Sequence, residues 1–168
     1  MLWSKLKTNV ESLFAENVRG IVELRSVSYN HSHDNHGRGY ITVYGKEVWN
    51  MCTFQYFPIE KAQIDVNLEL YAENARSAQL DAVNELDMEG VYSQSGFYFL
   101  LHEYCSMPIH ESLNSNIPLI KSLAILDRRV GKRKLSTLNL AMDHEMVKYF
   151  YTLRCSLEKI NKAIEDIT

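Results

Sequence analysis

The 168-residue sequence predicts an α+β fold, with an N-terminal helix and a small antiparallel sheet of three strands and one hairpin packed against a helical C-terminal half. Three observations carry that prediction. Trp3, Leu6, Val10, Leu13 and Phe14 recur at helical spacing. The runs 21–29, 40–44 and 47–53 are rich in β-branched and aromatic residues and are divided by polar or glycine-bearing stretches. Beyond Pro58 the apolar residues return to stripes three and four apart. No low-complexity tract, linker or fixed-period repeat divides these parts, so 1–168 reads as one domain, with 1–60 its helix-and-sheet part and 61–168 its helical part.

Taken in order, the first helix carries Lys5, Lys7, Glu11 and Glu16 on its other faces and ends near Asn17, after which Ile21 to Tyr29 reads as a strand. Gly45-Lys46 between the next two runs suits a type II′ turn, since glycine takes positive φ without a Cβ clash. That register pairs Val43 with Val48 and Thr42 with Trp49. It puts Ile41, Val43, Val48 and Cys52 on one face and Tyr40, Thr42, Tyr44, Trp49 and Met51 on the other. So small a sheet needs helices to cover it. After Pro58 a helix with Tyr71, Ala75, Ala78, Ala82 and Leu86 on one stripe runs to a stop at Gly90. Ser93 caps a helix that buries Phe97, Leu100, Leu101 and Tyr104 until Pro108 interrupts it. Asn116 and Pro118 open the next, which stops at Gly131, and Asp143 opens the last, with Met146, Phe150, Leu153, Leu157 and Ile160 inward.

Hydrophobic residues make up 46% and charged residues 23%, a globular balance that excludes disordered and fibrous classes. No apolar run reaches the ~20 residues that cross a bilayer. The opening residues also lack a signal peptide's apolar segment, so a cytoplasmic home without membrane contact is expected. Cys52, Cys105 and Cys155 are odd in number and far apart, and read as reduced thiols packing as small hydrophobes. Charge is uneven. Between Glu60 and Glu89 eight acidic residues face only Lys61 and Arg76, whereas Arg128, Arg129, Lys132, Arg133 and Lys134 surround Asp127.

Five segments together carry a resemblance: Trp3 to Lys7, His33 to Arg38, Gly45 to Thr53, Leu126-Asp127-Arg128-Arg129-Val130-Gly131-Lys132-Arg133, and Phe150 to Cys155. In this order, over almost the whole chain, they resemble a family of small uncharacterised bacterial proteins. The resemblance implies a bacterial, cytosolic, single-unit protein and carries over no catalytic residue. Tyr44 stands where that pattern leads one to expect a smaller turn-forming residue, which touches the turn type and not the hairpin.

Two clusters have the residue types of a site. His31, His33, Asp34 and His36 place three imidazoles and a carboxylate on one loop, ligands that suit zinc, nickel or iron if they converge. With the hairpin and following helix they also invite comparison with ββα-metal nucleases, where Asn74 and Asn84 would be the polar helix residues. Arg128, Arg129, Lys132, Arg133 and Lys134 could bind phosphate or an acidic protein face, although cations at a helix end also satisfy its dipole and Asp127 can pair with an arginine. Arg154, inside the last apolar stripe, reads as a core tie. No phosphate loop, nucleophile elbow, zinc helix or dinucleotide fingerprint is present, and no catalytic residue or cofactor is assigned. The leading expectation is a protein-binding or accessory module whose partner is another protein, with an immunity-type inhibitor as its specific form. The alternatives are a metal-dependent hydrolase or nuclease built on the histidine loop, and a homodimer joined by an aromatic sheet face. An acidic chain without interleaved basic and aromatic residues does not favour nucleic acid.

Overall fold

The structure, a computed structural model, describes residues 2–29, 36–70 and 73–160. Helix α1 (Trp3–Leu13) precedes strands β1 (Val22–Ser28), β2 (Gly37–Val43) and β3 (Lys46–Cys52), and then come α2 (Thr53–Leu70), α3 (Ala75–Met88), α4 (Gln94–Ser106), α5 (Ile109–Leu113), α6 (Pro118–Leu126), α7 (Lys132–Leu135) and α8 (Glu145–Glu158). The fold is α+β, with one antiparallel sheet in the order β1-β2-β3. Its registers Val22↔Val43, Leu24↔Ile41 and Ile41↔Trp49 bring these residues to one buried face. The outer face is polar: Arg38 meets Glu47 at 2.7 Å and lies 4.4 Å from the ring centroid of Tyr40.

The hairpin turn differs from the expected one. Tyr44 (φ 51) and Gly45 (φ 75) are its two central residues, so Val43 pairs with Lys46 instead of Val48. Two left-handed residues make a type I′ turn, whose twist matches the flanking strands. An irregularity between Ile41 and Thr42 then shifts the register of β3, so Trp49 pairs with Ile41 and not with Thr42. Side chains alternate along a strand, so the shift turns Trp49 and Met51 to the same side as Ile41 and Val43, into the core. Of the aromatic face expected from the sequence, Trp49 and Met51 therefore lie inside the molecule, while Tyr40 is half-buried on the outer face and Tyr44 is exposed at the turn.

Helices α1 and α4 cover the buried face, and residues of the sheet, α1, α4, α6 and α8 form one apolar core. At Gly39 a Cβ would lie 2.2 Å from Phe97, so the missing side chain is what lets α4 lie so close to β2. The α4 stripe is buried as its spacing predicts, and the Ser93 hydroxyl accepts a hydrogen bond from the Gly96 N–H. Helix α6 is buried almost all round, with Pro118 in its first turn, and it ends at Leu126 rather than at Gly131. It stops there because the chain turns extended. Ala15 N–H donates to Leu126 O (2.9 Å) and Arg128 N–H to Leu13 O (2.8 Å), which bridges Phe14 to Asp127. The short helices α5 and α7 carry too few turns for a periodic signal. Helix α8 buries Val147, Phe150, Tyr151, Arg154 and Cys155, one residue round from the predicted stripe, while Met146, Leu153 and Leu157 are partly buried.

The predicted helix after Pro58 is two helices. The first begins at Thr53, on the heels of β3, and holds Pro58 inside it, and the second starts at Asn74, whose side chain accepts from Arg76 N and Ser77 N while Ser77 returns the bond. Tyr71, placed on the predicted stripe, lies outside the described residues. Helix α3 packs on α2, with Ala78, Ala82 and Leu86 buried. Asn67 is buried and donates to Ala78 O and to Glu85, which Gln63 also reaches at 2.8 Å. Cys155 is buried, Cys52 and Cys105 are partly so, and all three are free thiols. No described helix is long and apolar enough to cross a membrane.

Candidate functional site

Of the histidine-loop residues, His31, His33 and Asp34 lie outside the described residues. His36, where the chain enters β2, sets its ring edge-on to Phe54 (5.5 Å) and Phe57 (5.2 Å) at the start of α2. Among the described residues no group of three His, Cys, Asp or Glu side chains could hold a metal. The helix that directly follows the hairpin is α2, so Asn74 and Asn84 belong to the next one, where Asn74 is the cap and Asn84 is exposed. The amide of α2 itself, Asn67, is taken up by the seam with α3.

The basic turn divides into tied and open cations. Asp127 is 0% exposed, and its carboxylate accepts from Tyr104 OH, from the Arg129 N–H at 2.7 Å and from Nε and Nη2 of the Arg129 side chain. The Asp127 hydrogen bond holds the guanidinium of Arg129 above its ordinary range. Burial drives the Tyr104 phenol upward, and the carboxylate beside it adds to the shift. Arg154, 3% exposed, donates to Leu126 O (3.1 Å) and Val130 O (3.4 Å) and meets Glu158 at 2.9 Å, while Lys132 reaches the same carboxylate at 3.4 Å. This is a structural knot that joins α4, α6, α8 and the end of α1. Arg128, Arg133 and Lys134 stay exposed and have no ion pair among the described residues.

The surface that the sequence reading missed is α2. A surface helix normally buries one apolar stripe and shows a polar face. Thr53, Tyr56 and Asn67 are its buried residues. Yet Phe54, Phe57 and Leu68 on one flank and Ile59, Val66 and Leu70 on the other are exposed, Phe54 at 50% and Leu70 at 71%. Asp65 and Glu69 on α2 and Glu73 just before α3 are exposed beside them. The legible signal was the lack of a single stripe: apolar residues from Phe54 to Leu70 fall on every side of a helical projection.

The structure thus defines an α+β protein with a helix-covered three-stranded sheet, an α2–α3 pair packed on each other and an exposed cationic turn after α6. The chain belongs to the SF0329 protein family, whose family model matches residues 2–155. No curated protein and no solved structure matches it.

Proposed function

We propose that this protein is a protein-binding module of the bacterial cytoplasm that docks its partner along α2, with α3 as the support. The observation that carries the reading is the six large apolar side chains left exposed, three on each flank of one 18-residue helix. Large apolar side chains left exposed in such number on one helix are a mark of interaction sites on folded proteins. The occupant is a protein with a basic rim around an apolar strip, because the α2–α3 segment carries eight acidic residues against Lys61 and Arg76. A second copy would set acid against acid. An immunity-type inhibitor, covering the cationic active face of a toxin, is the specific form that this charge pattern suits.

The test is photo-crosslinking in the native cell from an unnatural residue at Val66 or Leu70, with exposed Thr152 of α8 as the control position. The expected result is one heteromeric adduct from both α2 positions and none from Thr152, with a purified basic partner whose binding Leu68→Ser weakens at least tenfold without changing the melting curve. Adducts only of twice the chain mass would make the occupant a second copy and overturn the reading. Equal labelling from Thr152 would remove α2 as the docking face.

A further inference from the structure

A cavity of about 190 Å³ lies beside the basic turn, between α5 and the segment that carries α7. Its wall is apolar, from Ile109, Leu113, Val130 and Leu138, of which Leu113 and Val130 are buried. Its other lining residues include Arg129 and Lys134. The two cations differ in what they can offer. Arg129 commits Nε and Nη2 to Asp127, so its charge is already matched by a buried carboxylate. Lys134 has no ion pair among the described residues, neighbouring Arg128 and Arg133 add positive field, and Glu111 lies instead against the lining residue His110, at 3.7 Å. An apolar recess with one uncompensated ammonium group on it selects for a ligand with an apolar body and a single negative head.

Size narrows the class. An apolar cavity of about 150 Å³ accommodates a benzene ring, whereas drug-sized ligands need roughly 300 Å³ or more. One ring fits here and two do not. We infer that the cavity lined by Leu113, Val130, Leu138 and Lys134 is a binding site for a small aromatic carboxylate, with the ring against the aliphatic wall and the carboxylate on the Lys134 ammonium. A lysine acts as a compact point charge, so the site reads charge and ring size and not the planar geometry of the head. This site is separate from the α2 docking face and stands whether or not that reading holds.

The test is a titration of the ¹⁵N-labelled full chain followed by amide shifts, with benzoate as the probe and benzyl alcohol and acetate as its neutral and ringless counterparts. Benzoate should move the amides of Leu113, Asn114, Val130 and Leu138 and saturate with a Kd on the order of 1 mM, as suits a ligand of so few atoms. Benzyl alcohol and acetate should each bind about tenfold more weakly, and Lys134→Met should weaken benzoate about five- to tenfold. Lys134 is exposed, so that variant tests the charge without threatening the fold, and Leu138→Trp tests the recess by filling it. Three results would each overturn the inference: benzoate shifts that stay linear or scatter over the surface, acetate matching benzoate, or Lys134→Met binding benzoate like the parent.

Discussion

Asp87 sits in the last turn of α3, at the end of the helix where the backbone dipole is negative and a carboxylate is least welcome. Burial pushes its carboxyl up to about 6, and the charge of Glu103 adds to the shift. An ordinary aspartate titrates near ~3.9, so the displacement is about two units, or at most about 3 kcal/mol at ~1.4 kcal/mol per unit. The group is only partly buried, and solvent screening reduces that to roughly 1–2 kcal/mol. The sign follows from proton binding. Between pH ~4 and ~6 the folded chain holds a proton that the unfolded chain has released, so stability is highest below that window and falls as pH rises through it. Asp87→Asn removes the charge without removing the side chain's shape. The variant should therefore exceed the parent by about 1–2 kcal/mol at pH 7.5, with the advantage gone by pH 4.0. Urea unfolding of both proteins at the two pH values measures the difference directly, because other titrating groups cancel between parent and variant. A gain of equal size at both pH values, or no gain at pH 7.5, would refute the argument.

Gly39→Ala should destabilise the fold by about 1–3 kcal/mol by overpacking, since its Cβ would fall 2.2 Å from Phe97. Gly131→Ala, with nothing within 4 Å of its added Cβ, should stay within about 0.5 kcal/mol of the parent. Thermal melts of the two variants give the contrast, and equal melting temperatures would count against the close approach of α4 to β2. Tyr44→Asn should raise stability by about 0.5–1 kcal/mol, because asparagine tolerates the left-handed φ of 51 that a tyrosine resists. A lower melting point would show that the exposed tyrosine ring contributes more than its backbone costs.

The parts of the fold that were legible are those where one periodicity and one punctuation mark agree. Trp3 to Leu13, the strand from Val22 to Ser28, and the Ser93-capped helix up to Ser106 all have both, and the structure places them within a few residues of expectation. The turn was misplaced by one residue because glycine suits the first position of a type II′ turn and the second of a type I′ turn equally well. Only the partner strand decides, and that is not local information. Thr53 read as the end of a strand because it is β-branched, yet α2 starts there, and Pro58 read as a boundary although it lies inside the helix on an exposed side. Asp127 was expected to pair with an arginine and does so with Arg129, but its complete burial beneath Tyr104 depends on three distant helices meeting. The cavity beside Lys134 was illegible for the same reason, since Leu113 and Leu138 come from opposite sides of α6 in sequence.

The bridge between Phe14 and Asp127 has a consequence for how the chain is made. These residues lie more than a hundred positions apart, yet the backbone of one supports the end of the helix that leads to the other. During vectorial synthesis β1 and then α4 can cover the apolar face of α1, but its C-terminal end lacks this backbone partner until α6 has emerged. The last turn of that helix is thus the part of the amino-terminal half that is completed late, once the chain beyond Leu126 has been made.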